Sequence, residues 1–526
     1  MSIPNDPDHT DVIVVGAGIS GIGAGWRLVN DSPGTSFVIL ERREAIGGTW
    51  DLFRYPGVRA DSDMFTLSYP FRPWRGERAI ADGASIRAYV EETAAEAGLG
   101  EHLRFGVSVL SASWSSTRAR WTVRTEVRGV ERVRTCSFLY LCAGYYDYDR
   151  GHQPDFAGLE DYAGTFVQPQ FWPSDLDHAG KKVVVIGSGA TAMTVAPAMT
   201  GTAATVTMLQ RTPTYVASLP GRDVIANAAR RVLPAGAAHK VARAKWILHM
   251  QAIYALCRKR PGLAKKIFRA DALRRLQNAT VYDAHFTPDY QPWDQRVCLV
   301  PDGDLFKAIR AGGMEVVTGH IERFVPEGVA LTTGEVLPAD IVVSATGLRL
   351  LPLGGLEFDV DGVPVRVEDT VAYRACMLSG VPNFAFSFGY INVSWTLRTD
   401  LSARYVCDVV NRMRAAGHDT VVPVLPEGEE LRPFVDSLTA GYITRGIGAF
   451  PKQGSSAPWA VRHNYVRDLL AARRHDRLDG LRFSTRPPGQ GGQTMEQVAP
   501  GAARRRRSRV TSSASRDSAN ATYQAS

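Results

Sequence analysis

Short uninterrupted apolar runs that end in glycine set the rhythm of this chain. Residues 11–15 (Asp-Val-Ile-Val-Val) stop at Gly16-Ala17-Gly18-Ile19-Ser20-Gly21, and an amphipathic stretch continues to about Val29. A run of four or five branched apolar residues without alternation reads as a strand buried on both faces, and the stretch after it reads as a helix. A second run, Phe37-Val38-Ile39-Leu40, closes on Glu41. Residues 84–98 predict a helix, 107–110 and 121–123 predict strands of a small sheet, and Phe138-Leu139-Tyr140-Leu141 predicts a buried strand ending in Cys142-Ala143-Gly144. The motif then recurs: Lys181-Lys182-Val183-Val184-Val185-Ile186 runs into Gly187-Ser188-Gly189-Ala190-Thr191-Ala192-Met193, with the next strand at 205–210. Residues 340–347 (Asp-Ile-Val-Val-Ser-Ala-Thr-Gly) resemble 141–144, so the chain is expected to return to its first domain there.

Strand, glycine turn and helix in that order suit a dinucleotide pyrophosphate. The first glycine makes the turn, the second admits the phosphates to the backbone, the third lets helix pack on strand, and the helix N-terminus offers N–H groups to the anion. In the first unit Gly16, Gly18, Ser20 and Gly21 take these places, and Glu41, twenty residues after Gly21, is set to bind both hydroxyls of an adenosine ribose. Val109 is expected as a further contact, to the adenine. In the second unit Ala192 holds the third small position, and the following strand ends in Arg211-Thr212 instead of an acid. A guanidinium and a hydroxyl bind a 2′-phosphate that a carboxylate would repel, which selects NADPH over NADH. The fold class is therefore α/β, with two Rossmann-like dinucleotide-binding domains, one for FAD and one for NADP, and a helical insert.

Between the two units lies residues 47–63, Gly-Gly-Thr-Trp-Asp-Leu-Phe-Arg-Tyr-Pro-Gly-Val-Arg-Ala-Asp-Ser-Asp, which follows the second strand and so runs where an isoalloxazine would lie. Expected boundaries are 1–150 and 339–486 for the FAD domain, 151–220 and 281–338 for the NADP domain, 221–280 for the insert, and 487–526 for a disordered basic tail.

Charge changes this picture little. The net charge is +8, yet residues 221–280 hold fourteen Lys/Arg against Asp223 and Asp271, and residues 487–526 hold six Arg against Glu496 and Asp517. These two segments carry +12 and +4, so the rest of the chain carries −8, and no specific nucleic-acid partner is expected. The insert, interrupted by Pro234 and Pro261, reads as a helical lid over the active site, with peripheral contact to an anionic membrane as the alternative. Six scattered cysteines without a Cys-x-x-Cys pair argue against a disulfide framework, a metal site and a dithiol reductase. The polar, acidic start has no leader pattern, and no run approaches the roughly 20 apolar residues of a membrane span. A cytoplasmic location is the expectation.

With these residues in view, the chain resembles the class B flavoprotein monooxygenases, and among them the Baeyer-Villiger monooxygenases of the ethionamide-activating type, over about residues 11–486. Gly47, Gly48, Trp50, Tyr55, Pro56, Gly57 and Asp61 fit the family's loop motif. Tyr162, Gly164 and Trp172-Pro173 fit its second fingerprint, with Tyr162 in place of Phe and Gln168 in place of His. The resemblance implies that Arg296, in the turn Tyr290-Gln291-Pro292-Trp293-Asp294-Gln295-Arg296, is the active-site arginine, with Asp61 as its positioner. Gln295 stands where relatives often have Lys, leaving more of the 2′-phosphate to Arg211 and Thr212. Thr49, Trp50, Asp51, Leu52 and Asp61 would contact FAD, and Arg59 and Ala60 would contact NADP. The implied reaction uses NADPH and O2 to convert ketones to esters or lactones through a flavin C4a-peroxide, with S-oxygenation of thioethers or thioamides beside it. Its alternatives are an N- or S-oxygenase with little ketone activity and a non-oxygenating NADPH oxidase or nucleotide sensor.

Overall fold

The computed structural model describes residues 8–474, 477–485 and 495–497. In the first domain β1 (His9–Val15), α1 (Ile19–Asp31) and β2 (Phe37–Leu40) form the expected strand, turn, helix and strand. A loop with the short helices α2 (Thr49–Leu52) and α3 (Met64–Leu67) leads to α4 (Gly83–Glu96). The edge strand β3 (Leu103–Arg104) and the meander β4 (Val107–Ser115), β5 (Arg120–Val127) and β6 (Val130–Leu141) complete its N-terminal part. β1 lies between β2 and β6, parallel to both.

Glycine sets how closely α1 sits on this sheet. A Cβ at Gly23 would stand 2.8 Å from the Tyr69 ring, and one at Gly25 would stand 2.8 Å from Ile39 Cδ1. The outer side of α1 is covered in turn, where buried Arg27 pairs with Asp400 at 2.7 Å.

The second domain holds a five-stranded parallel sheet. It is built from β7 (Thr165–Val167), β8 (Lys182–Ile186), α5 (Ala190–Met199) and β9 (Thr205–Gln210). β10 (Val216–Leu219) then leads out to the insert of α6 (Val224–Val232), α7 (Ala235–Lys259) and α8 (Pro261–Leu276), followed by α9 (Ala279–His285). The chain re-enters through β11 (Cys298–Pro301), which pairs parallel with β10, and continues through α10 (Asp304–Arg310) to β12 (Glu315–Thr318). A small antiparallel sheet, β13 (Ile321–Val325), β14 (Gly328–Leu331) and β15 (Val336–Pro338), precedes β16 (Ile341–Ser344). The order across the large sheet is β12-β9-β8-β16-β7.

β16 corrects one expected boundary. It pairs with β7 and β8, so the chain is still in the second domain at Ser344 and returns only after it, not at residue 339. The likeness of 344–347 to 141–144 has a different cause. A Cβ on Gly16 would stand 2.7 Å from the Cys142 carbonyl oxygen, and one on Gly187 would stand 2.4 Å from that of Ala345. Each domain closes its glycine turn against the end of its own neighbouring strand, so the two segments do the same task in two places.

The two crossings between domains run side by side. Asp147 N–H donates to Arg349 O and Leu351 N–H to Tyr145 O, both at 2.9 Å, which makes a short antiparallel ribbon. Beyond it, β17 (Glu357–Val360) and β18 (Val363–Pro364) extend the first sheet beside β4, and residues 384–386 add parallel to β6. The long helix α11 (Thr396–Ala416) supplies Asp400 and covers α1. Met495–Gln497 pairs antiparallel with Leu481–Ser484, a strand inside the stretch expected to lack structure. An open strand edge offers unpaired N–H and C=O groups that override weak local propensity. The other residues of 487–526 lie outside the described residues.

Candidate active site

The two glycine turns open onto one cavity of about 1180 Å³, larger than the roughly 300–1,000 Å³ of ordinary ligand clefts. Gly16, Gly18, Ser20, Glu41, Thr49, Trp50, Val109, Arg59, Ala60, Asp61 and Arg296 border it, and so do residues 187–191, Met193, Arg211 and Thr212. Four expected contacts do not. Gly21 lies beneath the turn, where a Cβ would meet Gly16 O at 1.8 Å, so it serves packing and no side chain fits there. Ala192 is sealed in the core of the second domain. Leu52 packs toward the same core. Asp51 is buried and turned to three guanidinium groups, those of Arg43 at 2.5 Å, Arg54 at 2.7 Å and Arg87 at 3.1 Å. A short carboxylate that serves three arginines holds the loop closed on α4 and has no side-chain oxygen to spare for a ligand.

At one end of the cavity Glu41 terminates β2. Its carboxylate accepts from the N–H of Ala17 at 2.7 Å and of Arg43 at 2.8 Å, which fixes its rotamer beneath the glycine turn. Burial raises its pKa above the ordinary value, against those two donors. Gly16 has φ +103°, and its missing Cβ lets the turn close against the Cys142 carbonyl at the end of β6. A buried carboxylate beside a side-chain-free turn suits an adenosine diphosphate. Two hydrogen bonds outside the expected set brace this end: Thr49 Oγ1 and the Tyr148 hydroxyl lie 3.0 Å apart, and Trp395 Nε1 donates to Ser20 Oγ at 2.9 Å. The sequence shows a tyrosine-rich stretch at 145–148 and an aromatic one at 388–395, but not that they meet the first fingerprint.

Across the cavity, Gly187 has φ +133° and Ser188 Oγ donates to Thr212 O at 3.3 Å, which ties the second turn to the end of β9. Arg211 is exposed on the cavity rim and Arg59 pairs with Asp304 at the start of α10. Arg59 thereby links the 47–63 loop to the second domain and is less free to meet a ligand than expected.

Between the two ends Arg296 and Asp61 form an ion pair of 2.7 Å, their side chains 35% and 37% exposed. Asp61, ahead of the Tyr145, Tyr146 and Tyr442 phenols, raises the pKa of Arg296 further above its ordinary range, so the guanidinium stays charged. Arg296 sits in a turn under strain: Trp293 has φ +74°, which a bulky side chain rarely adopts, yet the ring is buried against Tyr254 at 5.5 Å. Arg258 from α7 pairs with the Asp294 carboxylate at 2.7 Å, and Thr439 N–H donates to Asp294 O at 2.7 Å, so the insert and the C-terminal region hold that turn from two sides. Behind Arg296 a small pocket is lined by Tyr145, Phe388, Tyr390, Trp395 and Tyr442.

Gln168 lies in the segment that follows the first crossing, and its amide fills the space beside Gly151, where a Cβ would stand 2.1 Å from Oε1. The crossing itself is tied by Gln170, whose Nε2 donates to Asp147 O at 2.7 Å. The six cysteines are buried and unpaired.

Comparison with known proteins agrees with this arrangement. Residues 14–76 match the model of an NAD(P)-binding Rossmann-like domain, and residues 77–223 match that of the flavin-binding monooxygenase-like family. The FAD-containing monooxygenase EthA of Mycobacterium tuberculosis is 50% identical over 483 residues, covering 91% of this chain and 99% of its own. The probable FAD-binding monooxygenase AlmA of Acinetobacter baylyi is 46% identical over 480 residues, covering 90% and 95%. Among solved structures, an oxidized steroid monooxygenase bound to NADP superposes with a TM-score of 0.73 at 23% identity, covering 90% of this chain and 99% of that one. An open form of cyclohexanone monooxygenase gives a TM-score of 0.66 at 19% identity, covering 80% and 90%. The fold and the full-length likeness together define a class B flavin monooxygenase. Within that class the chain belongs to the FAD-containing monooxygenases of the EthA type.

Proposed function

We propose that this monooxygenase uses NADPH and O2 to convert ketones to esters or lactones, and also oxygenates thioethers or thioamides at sulfur. The observation that carries the reading is the Arg296–Asp61 pair at 2.7 Å, standing in one cavity between the two glycine turns. FAD, reduced by NADPH, supplies the activation of O2 when both are bound. Gly16, Gly18, Ser20 and Glu41 would hold the flavin nucleotide, with Thr49 and Trp50 also at its disposal in the same cavity. Residues 187–191 and Met193 would hold the nicotinamide nucleotide, with Arg211 and Thr212 to bind its 2′-phosphate.

Arg296 then brings a permanent positive charge to the place where negative charge builds on oxygen as a carbonyl is attacked. A charge fixed before the reaction needs no reorganisation during it, and a lost donor of this kind costs about 3–4 kcal/mol. Asp61 keeps the guanidinium aimed, and the strained turn at Trp293 together with Asp294 keeps its backbone in place. The aromatic wall of Tyr145, Trp395 and Tyr442 excludes water from this end. Two fold relatives are named for a steroid and for cyclohexanone, which supports a cyclic or bulky ketone as the first trial substrate. The test is to incubate the purified yellow protein with NADPH and a panel of ketones and thioethers and to identify the products. Esters or lactones bear the reading out. Sulfoxides without any ester favour the S-oxygenase alternative.

A further inference from the structure

Eight of the nineteen large apolar side chains exposed among the described residues lie between Val224 and Ile267, in the insert that carries +12. α6 leaves Val224, Ile225 and Val232 exposed by 78%, 60% and 78%, while Ala226 turns inward. The exposed corner Leu233-Pro234 leads into α7, where Ala237, Val241, Ala244, Leu248 and Ala252 recur at helical spacing along one outward face. The opposite face of α7 is sealed: Ala238, Ala242, Trp246 and Met250 are buried, and Arg243 donates to the carbonyls of Phe65 and Thr66 within α3 and of Ser68 just past it. The outward stripe is therefore not a core face left open by a loose helix. The helix is already fully docked on its other side, and a second apolar stripe faces out, beside exposed Arg231 and Lys240.

We infer that the α6–α7 hairpin docks this enzyme on an anionic lipid surface, with α7 lying in the plane of the interface. Aliphatic side chains bounded by lysine and arginine are the composition of helices that lie in the headgroup layer. Two other occupants fit less well. A symmetric dimer through this face would set exposed Arg231 and Lys240 against their own copies, because a two-fold interface brings the same patch of both subunits together. Nucleic acid would use the cations but leave the Val, Ile and Leu stripe in contact with phosphate and water. The inner face of α7 packs one layer from the active site: Ile247 shares an apolar cluster with Leu397 and Tyr390, which lines the cavity, and Arg258 holds the turn of Arg296. Docking would thus bring the site to where apolar substrates dissolve. The inference rests on the insert alone and stands whichever substrate is turned over.

The test is flotation of the full-length holoenzyme with phosphatidylglycerol/phosphatidylcholine vesicles and with pure phosphatidylcholine vesicles, beside the variant Val241→Asp/Leu248→Asp. Both positions face solvent, so the melting temperature and the NADPH oxidation rate of the variant should match those of the parent. The parent should float with the anionic vesicles only and be released by added salt. The double variant should lose partitioning by on the order of a hundredfold, about tenfold for each side chain kept out of the interface. Failure of the parent to float with anionic vesicles overturns the inference, and so does equal flotation of the variant. Gel filtration that shows self-association abolished by the same substitutions, with no vesicle binding, assigns the face to a second copy and also overturns it.

Discussion

Replacing Arg296 by Ala, Asp61 by Asn, and both together asks whether the pair works as one unit. Arg296 supplies the charge, and its loss should cost about 3–4 kcal/mol of barrier, or roughly 10²–10³ in the rate of ester formation. Asp61 acts only through Arg296, so its loss costs what a loosened guanidinium costs. At 2.7 Å the attraction is short-ranged, but both side chains are about a third exposed, and solvent screening removes much of the Coulomb gain. A loss of about 1–2 kcal/mol, or roughly 5–30-fold, follows for Asp61→Asn. The double variant should be no slower than Arg296→Ala alone, because a positioning group has nothing left to position. The assay pairs chromatographic quantification of ester with anaerobic stopped-flow measurement of flavin reduction by NADPH. Reduction should stay within a few-fold of the parent in all three variants while ester yield falls and NADPH is consumed without product. Independent, multiplying losses in the double variant would refute the positioning role of Asp61, and undiminished ester from Arg296→Ala would refute the reading of the site.

Three further outcomes follow from the geometry. Arg211→Ala should raise the Michaelis constant for NADPH by roughly tenfold or more and leave that for NADH nearly unchanged, since a charge-assisted bond is worth about 1.5–3 kcal/mol; steady-state kinetics with both nucleotides decides it. Gly187→Ala places a Cβ 2.4 Å from Ala345 O at φ +133°, so the second domain should lose NADPH affinity and the melting temperature should fall, while flavin content is kept. Asp63, buried at the start of α3, has its pKa pushed up to about 6 by burial, against hydrogen bonds from Thr66. The folded state therefore holds a proton that the unfolded chain releases near pH 4, and the stability this gives is lost as pH rises from about 4 through about 6. Asp63→Asn can still cap the helix, so its melting temperature relative to the parent should rise across that window and level off above it.

The two fingerprints, Glu41 and the strand pattern around them were legible because each is local. A strand, a glycine turn and a helix are adjacent in sequence, and their chemistry is complete within thirty residues. Arg296 and Asp61 were legible only as family motif residues, and the structure brings them together across the domain boundary. What escaped is non-local. Whether 341–344 pairs with the first sheet or the second depends on which strand edge is free, and both segments look alike because both close a glycine turn. Asp51 read as a ligand contact until Arg43, Arg54 and Arg87 converged on it from a loop and a helix. The tyrosines and tryptophan around the cavity were visible as aromatic clusters, but no periodicity says which pocket such a cluster will wall.

The ribbon formed by the two crossings constrains how the halves of this enzyme can move and change. Two hydrogen bonds between antiparallel backbones hold these segments in one register, so each crossing fixes the other in place. An added or deleted residue in either crossing alone would break that register, so the lengths of these two segments, about two hundred residues apart, are free to vary only in step.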